Sequence, residues 1–283
     1  KKRVERILAE REVSGKGVAF DSPADERLYG LGQFQDGALN IRNLPRRLVQ
    51  VNTQASVPFM VSTRGYGLHW HSYARVDFNP CPDKIALTEE ESDSATRSVA
   101  VTTNSGNAQE ERREVVLSGA FEAPADGEYA FDLDSGLKMS RQQIVEVDGR
   151  CVVSNANVWL PPTVGFRVNC TKGLHAVRVI ADSRDKPTLG IRPDRGESRF
   201  VSDFARGTDY VVYAGSPTES VAAFRRVFES AVEGPRSLFI NGAQGEINHI
   251  NPLNPAGYMN GMIMDFDDVP RGSNQAIHMG RAV

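Results

Sequence analysis

Apolar and polar residues alternate along most of this chain. From Leu68 to Phe78, the residues Leu68, Trp70, Ala74, Val76 and Phe78 fall on one side, and His69, His71, Tyr73, Arg75 and Asp77 on the other. This period of two predicts one strand with a single buried face. The apolar run from Pro58 precedes it, and the turn from Thr63 to Gly67 separates the two. Farther on, Tyr129, Phe131 and Leu133 alternate with Ala130, Asp132 and Asp134, and Gly173 to Asp182 reads as another strand. Asp148-Gly149 is the dipeptide of a two-residue hairpin turn. Polar stretches from Glu89 and from Asn104 separate these blocks. Short strands bounded by Gly, Pro and Asp favour stacked antiparallel sheets over a parallel sheet with crossover helices.

The helical period enters late. Ser216, Pro217 and Glu219 supply an N-cap, a first-turn proline and the third-position acid of a capping box. Val221, Phe224, Phe228 and Ala231 then recur on one face, so the helix is expected to pack along that stripe. It is expected to run to about Val232, where Gly234-Pro235 stops it. The sequence shows no internal repeat and no low-complexity tract.

Composition narrows the classes. A chain of 283 residues holds two ordinary domains but not an additional eight-stranded α/β barrel, which takes roughly 250 residues by itself. The net charge of −3 offers no general attraction for a polyanion, so nucleic acid is not an expected partner. No apolar run approaches the ~18 residues that cross a bilayer, and a membrane is not expected either. The chain opens on Lys1-Lys2-Arg3 without an initiator Met, and its true beginning is expected upstream. Cys81, Cys151 and Cys170 lack the close pair spacings of a zinc site. They read as small buried or half-buried residues, with one disulfide plus a free thiol as the alternative.

Several motifs carry a family likeness. DSPADERLYGLGQFQDGALNIRN from Asp21, RLVQVNTQASVPFMVSTRGYGLHWHSYARVDF from Arg47 and DYVVYAGSPTESVAAFRR from Asp209 resemble the N-terminal β-sandwich region of glycoside hydrolase family 31. Members of that family cleave α-linked glucose or xylose. Between these motifs, SGAFEAPADGEYAFDLDSG, VEVDGRCV, NVWLPPTVGFRVNCTKGLHAVRV and DKPTLGIR resemble a protective-antigen-type carbohydrate-binding β-sandwich inserted in the first. In modules of that kind adjacent acids often hold calcium, whereas here the corresponding place reads Ser135 to Met139. SLFINGAQGEINHINP and NQAIHMGRAV in the tail resemble a short part of the neutral ceramidase-like family. That family's nucleophilic serine would align with Asn248, and an amide cannot replace an activated hydroxyl.

The resemblance implies an all-β chain of two β-sandwich domains, one inserted in the other, with a C-terminal helix and an irregular tail. The expected boundaries are 1–117 and 194–215 for the outer sandwich, 118–193 for the inserted one, 216–232 for the helix and 233–283 for the tail. It implies a non-catalytic accessory portion of an α-glycoside hydrolase, because the two aspartates of the family's retaining mechanism, held ~5–5.5 Å apart, have no counterpart motif. The nearest lookalike, Met264-Asp265-Phe266-Asp267-Asp268, has the wrong flanking residues. The alternative is an active fragment, either completed by a catalytic partner domain or acting as a zinc-dependent ceramidase-like amidase. A periplasmic or extracellular location is implied by resemblance alone.

Gln33, Gln35, Asp36, Asn40, Arg42 and Asn43 crowd a glycine-broken loop whose side chains suit sugar hydroxyls, and the resemblance implies that this loop reaches toward the catalytic pocket. The competing reading is a turn that satisfies its own backbone. Trp159 offers an aromatic face to a pyranose, or else plugs a core beneath a loop. The partner expected for this set is therefore a glycan or oligosaccharide. No cofactor is expected, and no metal: His69 and His71 share a strand face without an identifiable third ligand. His249 and His278, with Glu246, lack further ligands too. His175 is expected to be partly buried and hydrogen-bonded.

Overall fold

The structure is a computed structural model that describes residues 16–51, 54–70, 75–90, 96–103, 105–136, 140–202, 210–230, 237–241, 261–265 and 276–278. The first sandwich begins with β1 (Lys16–Asp21), β2 (Leu28–Gln33), β3 (Arg46–Leu48), β4 (Ala55–Ser62), β5 (Tyr66–Trp70) and β6 (Val76–Phe78). The chain then builds β7 (Asp83–Ile85), β8 (Thr88–Glu89), β9 (Thr96–Thr103), β10 (Gly106–Ala123), β11 (Gly127–Asp134), β12 (Ser140–Val147), β13 (Arg150–Leu160), β14 (Thr163–Cys170), β15 (Gly173–Asp182) and β16 (Thr188–Pro193). It returns through β17 (Glu197–Ser202) and β18 (Tyr210–Ala214) to the helix α1 (Pro217–Ser230).

Strand pairing separates two bodies. Sheets ordered β1-β17-β6-β3 and β18-β5-β4-β2 face one another around Leu28, Leu68, Trp70, Phe78 and Phe200. Sheets ordered β13-β12-β15-β10-β8 and β14-β11-β16-β7 enclose Phe121, Phe131, Val145, Val179 and Leu189. All of these pairings are antiparallel, as expected for an all-β chain. The second sandwich is an insertion: the chain leaves the first at Phe78 and re-enters at β17, where Phe200 pairs with Phe78. By pairing, the insertion starts at β7, whose Ile85 opposes Leu189, so the boundary expected at 117/118 falls inside β10.

The alternating run from Leu68 to Phe78 is not a single strand. β5 pairs with β4 and β18, whereas β6 pairs with β3 and β17 in the opposite sheet. Leu68, Trp70, Val76 and Phe78 are nevertheless all buried, because both strands face the same core from opposite sides. The period was preserved across a change of sheet, which periodicity cannot register. Trp70 stacks on Phe200 with ring centroids 5.2 Å apart, and its indole N–H donates to Ser202 Oγ at 3.1 Å.

Local signals hold closely. Asp148 and Gly149 both take positive φ (50° and 75°) in the β12–β13 turn, the backbone that the dipeptide favours. At α1 the Ser216 N–H donates to Glu219 Oε2 at 2.8 Å and the Glu219 N–H to Ser216 Oγ at 3.3 Å. The helix stripe is rotated from the expected one. Val221 is 40% exposed, while Ser220 is fully buried and Phe224 stacks on Phe59 at 4.3 Å. Ser220 Oγ donates to the carbonyls of Tyr213 and Gly215, and a Cβ on Gly67 would lie 2.8 Å from Ser220 Cβ. A small hydroxyl residue thus makes the closest helix–sheet approach, which an apolar stripe cannot reveal. Phe228 and Ala231 lie outside the residues whose side chains are described.

Cys81, Cys151 and Cys170 are all free thiols. The described tail residues form a separate sheet, with β19 (Ser237–Asn241) between β20 (Gly261–Asp265) and β21 (Ala276–His278). The expectations for Asn248, His249, Asp267 and Asp268 fall outside the described residues, as does that for His71.

The two sandwiches touch where Gly165 of β14 meets the chain at Pro45: a Cβ at Gly165 would lie 2.0 Å from the Pro45 carbonyl oxygen. Gly165→Ala is therefore expected to force this contact apart at a cost of about 1–3 kcal/mol, read as a lowered thermal midpoint in calorimetry. An unchanged midpoint would mean that the sandwiches do not approach closely there.

Candidate functional site

The glycine-broken loop begins at an irregularity in β2. Gly30 and Gly32 take φ of 123° and 101° on either side of Leu31, and the register against β4 shifts between them. A Cβ on Gly32 would lie 2.2 Å from the Ala55 carbonyl oxygen. Glycine at this bulge lets the loop turn off the sheet edge and run over the junction between the sandwiches.

Four of the six polar residues of the loop, Asp36, Asn40, Arg42 and Asn43, are engaged by the protein itself. Asp36 accepts two hydrogen bonds from Arg46, at 2.7 and 2.8 Å, and one from the Ala38 N–H. Asn40 Oδ1 accepts from the N–H groups of Leu28 and Arg42. Arg42, 6% exposed, donates to the carbonyls of Ser22 and Pro23 and forms a two-point bond with Asp194, at 2.6 and 3.0 Å. Burial pushes the Asp194 carboxyl up, and hydrogen bonds from Arg42 and the Gly196 N–H outweigh it, leaving the group below its ordinary range. The neighbouring Asn43 donates to Glu128 at 3.0 Å. These polar side chains close the loop and tie it to the inserted sandwich.

Gln33 and Gln35 are exposed. Gln35 stands with Asp36 at the mouth of a crevice between the sandwiches, which Gln54, Asp132, Gln143 and Asn155 also line. Trp159 is half-buried near the end of β13, its N–H donating to Asn157 Oδ1, and does not line this crevice. The space enclosed is about 20 Å³, room for about one water molecule. A pyranose does not enter it as it stands.

Sequence reasoning passed over the ion pairs made by Arg47, which lines this crevice. Arg47 pairs with Asp77 of its own sandwich at 3.1 Å and with Asp134 of the inserted one at 2.7 Å. Burial opposes the Arg47 charge, yet Asp77 and Asp134 hold its pKa above the ordinary value. Asp132, beside them, is pushed up to about 6 by burial, although Arg47 and Lys84 draw it down. The available signal was the pair of acids in Phe131-Asp132-Leu133-Asp134, which the period places together on the face opposite the core. What it could not give was that this face meets another domain.

The other singled-out side chains pack. His69 meets Phe224 edge-on at 5.1 Å. His175 bonds Asp148 at 2.6 Å and the Thr171 carbonyl at 2.7 Å, and stacks on Phe121. Among the described residues, no group of three His, Cys, Asp or Glu side chains is placed to hold a metal ion.

Two outcomes follow from this junction. Arg42→Met leaves Asp194 partly buried without its partner and is expected to cost about 3 kcal/mol or more, with part of the loss recovered in Arg42→Met/Asp194→Asn by urea unfolding. Asp132 gives the opposite sign of pH dependence from a paired carboxylate. Its pKa is higher folded (about 6) than unfolded (3.8), so the charged form burdens the fold above pH 6 and the burden disappears as pH falls toward 4. Asp132→Asn is expected to stabilise the protein at pH 7 by at most about 3 kcal/mol, from the rise of 3.8 to about 6, and to leave it unaffected at pH 4.

Residues 9–79 match the family described as glycosyl hydrolase 31 N-terminal galactose mutarotase-like domain. An uncharacterized family 31 glucosidase from Pseudescherichia vulneris is 46% identical over 57 residues, which cover 20% of this chain and 11% of that protein. An α-xylosidase from Saccharolobus solfataricus is 38% identical over 64 residues, covering 19% of this chain and 9% of that protein. The matches thus span about a tenth of the length of these curated relatives. A crystal structure of the GH31 α-xylosidase from Xanthomonas citri superposes with a TM-score of 0.54 at 23% identity, over 83% of this chain and 30% of that one. It shares the fold, while through residues 9–79 the chain is similar in sequence to the N-terminal mutarotase-like domain of family 31.

Proposed function

We propose that this chain is a non-catalytic front portion of a family 31 α-glycoside hydrolase, which braces a catalytic domain and contributes glycan contacts. The observation that carries this reading is the match of residues 9–79 to the N-terminal domain of that family. The α-xylosidase from Xanthomonas citri shares the fold over 83% of this chain and 30% of its own length. On this reading the inserted sandwich is a carbohydrate-binding module of protective-antigen type, and the protein works in the periplasm or outside the cell.

The chemistry of the junction supports an accessory role. Retaining glycosidases need an ionised nucleophile and a protonated acid facing each other across the sugar. Arg47 and Asp132 line the crevice at the junction, but its enclosed space of about 20 Å³ leaves no room for a sugar beside them. A bracing role needs an outer surface suited to another domain. Val57 and Val211 are 42% and 43% exposed, and strand alternation puts them on the same outer face as Phe59, where α1 packs; Val221 of α1 is exposed beside them. Apolar surface around an already docked helix suits a further domain covering the same sheet.

The purified chain is expected to give no turnover of nitrophenyl α-glucoside or α-xyloside. Hydrolysis that disappears in Asp265→Asn or Asp267→Asn would replace this reading with that of an active fragment, and zinc-dependent release of a fatty acid from ceramide would favour the amidase.

A further inference from the structure

The inserted sandwich carries a second groove, whose lining shares no residue with the crevice at the junction. It opens between β10, at Arg113, Val115 and Leu117, and the segment that joins β15 to the start of β16, with Glu89 exposed at its side. Its volume is about 550 Å³, within the range of roughly 300–1,000 Å³ typical of small-molecule sites. We infer that this groove is a binding site for a neutral oligosaccharide, an assignment that rests on the proposal that the chain handles glycans and says where it does so.

The walls are fixed before any ligand arrives. The Ser183 N–H donates to the Arg113 carbonyl at 2.9 Å, and the Lys186 N–H to the Ser135 carbonyl at 2.9 Å, so both ends of the connection are held. Asp182 accepts two bonds from Arg184, at 2.7 and 2.9 Å, and the turn from Asp182 to Asp185 is closed by a backbone bond of 2.8 Å. On the other face of β10, Glu114 accepts from Gln142 at 2.6 Å and holds that strand in place. A preformed wall spares the ligand the entropy of ordering a loop.

The lining fits a sugar better than the other candidates. Half-buried Val115 and Leu117, with Pro187, form an apolar strip suited to the C–H face of a pyranose. Around it stand two carboxylates, Glu89 and Asp185, and two cations, Arg113 and Lys186, with the hydroxyl of Ser183. A simple anion or cation would meet attraction and repulsion together on such a rim. A polyhydroxyl ligand instead finds charge-assisted acceptors and donors side by side. A peptide adding as a strand is excluded here, because both edges of β10 are occupied: Val115 to Leu117 pair with β15 on one side, while β8 and the Glu90 N–H, which donates to the Val116 carbonyl, take the other.

The test is isothermal titration of the full chain with maltotriose, a xyloglucan heptasaccharide and a glucuronate-bearing oligosaccharide. Glu89→Ala and Lys186→Ala change exposed side chains, Ser183→Trp places a large ring in the groove, and Gln33→Ala/Gln35→Ala tests the junction loop. The inference expects a neutral oligosaccharide to bind, with affinity reduced about tenfold or more in the three groove variants and unchanged in the loop variant. Loss only in the loop variant would overturn the groove while leaving the glycan-handling proposal intact. Binding of the glucuronate sugar alone would overturn the neutral class, and no binding by the wild type would remove both. Each variant's unfolding midpoint is measured in parallel, and a loss of affinity accompanied by unfolding is set aside in favour of Lys186→Met, which keeps an unbranched stem and removes the charge.

Discussion

The arrangement of this protein depends on Arg42. It lies in a loop of the outer sandwich, yet its guanidinium reaches the Ser22 and Pro23 carbonyls on one side and Asp194, at the exit of the inserted sandwich, on the other. Arg167 of β14 adds bonds to the carbonyls of Asn40 and Arg42, and Arg192 of β16 reaches Asn79 at the point where the insertion begins. The two ends of the insertion, Asn79 and Asp194, are thereby both held by arginines. Planar guanidinium groups suit this task because each fixes several acceptors in one geometry. A joint made of greasy contacts alone would leave the angle between the sandwiches less defined, whereas here each donor has a specific acceptor on the other body or at the connection.

This joint explains the division between what the sequence discloses and what it hides. Hydrogen-bond partners within a few residues are legible: Ser216 with Glu219, and Asp148 with Gly149, are written as adjacent letters and fold as such. So are core faces, since Trp70, Phe78, Phe131 and Val179 all follow the period of a strand. Partners far apart in sequence are not legible. Asp36, Asn40 and Arg42 look like a sugar-binding set because polar, fork-shaped side chains serve glycans and inter-domain joints equally well. Only the position of Asp194, 152 residues away from Arg42, tells which use is made of that arginine. The change of sheet between β5 and β6 was hidden for a related reason: alternation reports which side is buried, and both sheets bury theirs against one core.

The electrostatics of the joint contain two opposed terms. Asp194 has its carboxyl held below the ordinary range by Arg42 and the Gly196 N–H, so its contribution is present at neutral pH and is lost as acid protonates it. Asp132 is displaced upward, to about 6, by burial; its charge burdens the folded state at neutral pH, and mild acid relieves that burden. As pH falls from 7, the Asp132 term improves first, and the Asp194 term weakens only later. The contact between the sandwiches should therefore be firmest in the interval between the two titrations, below about 6 and above the depressed range of Asp194.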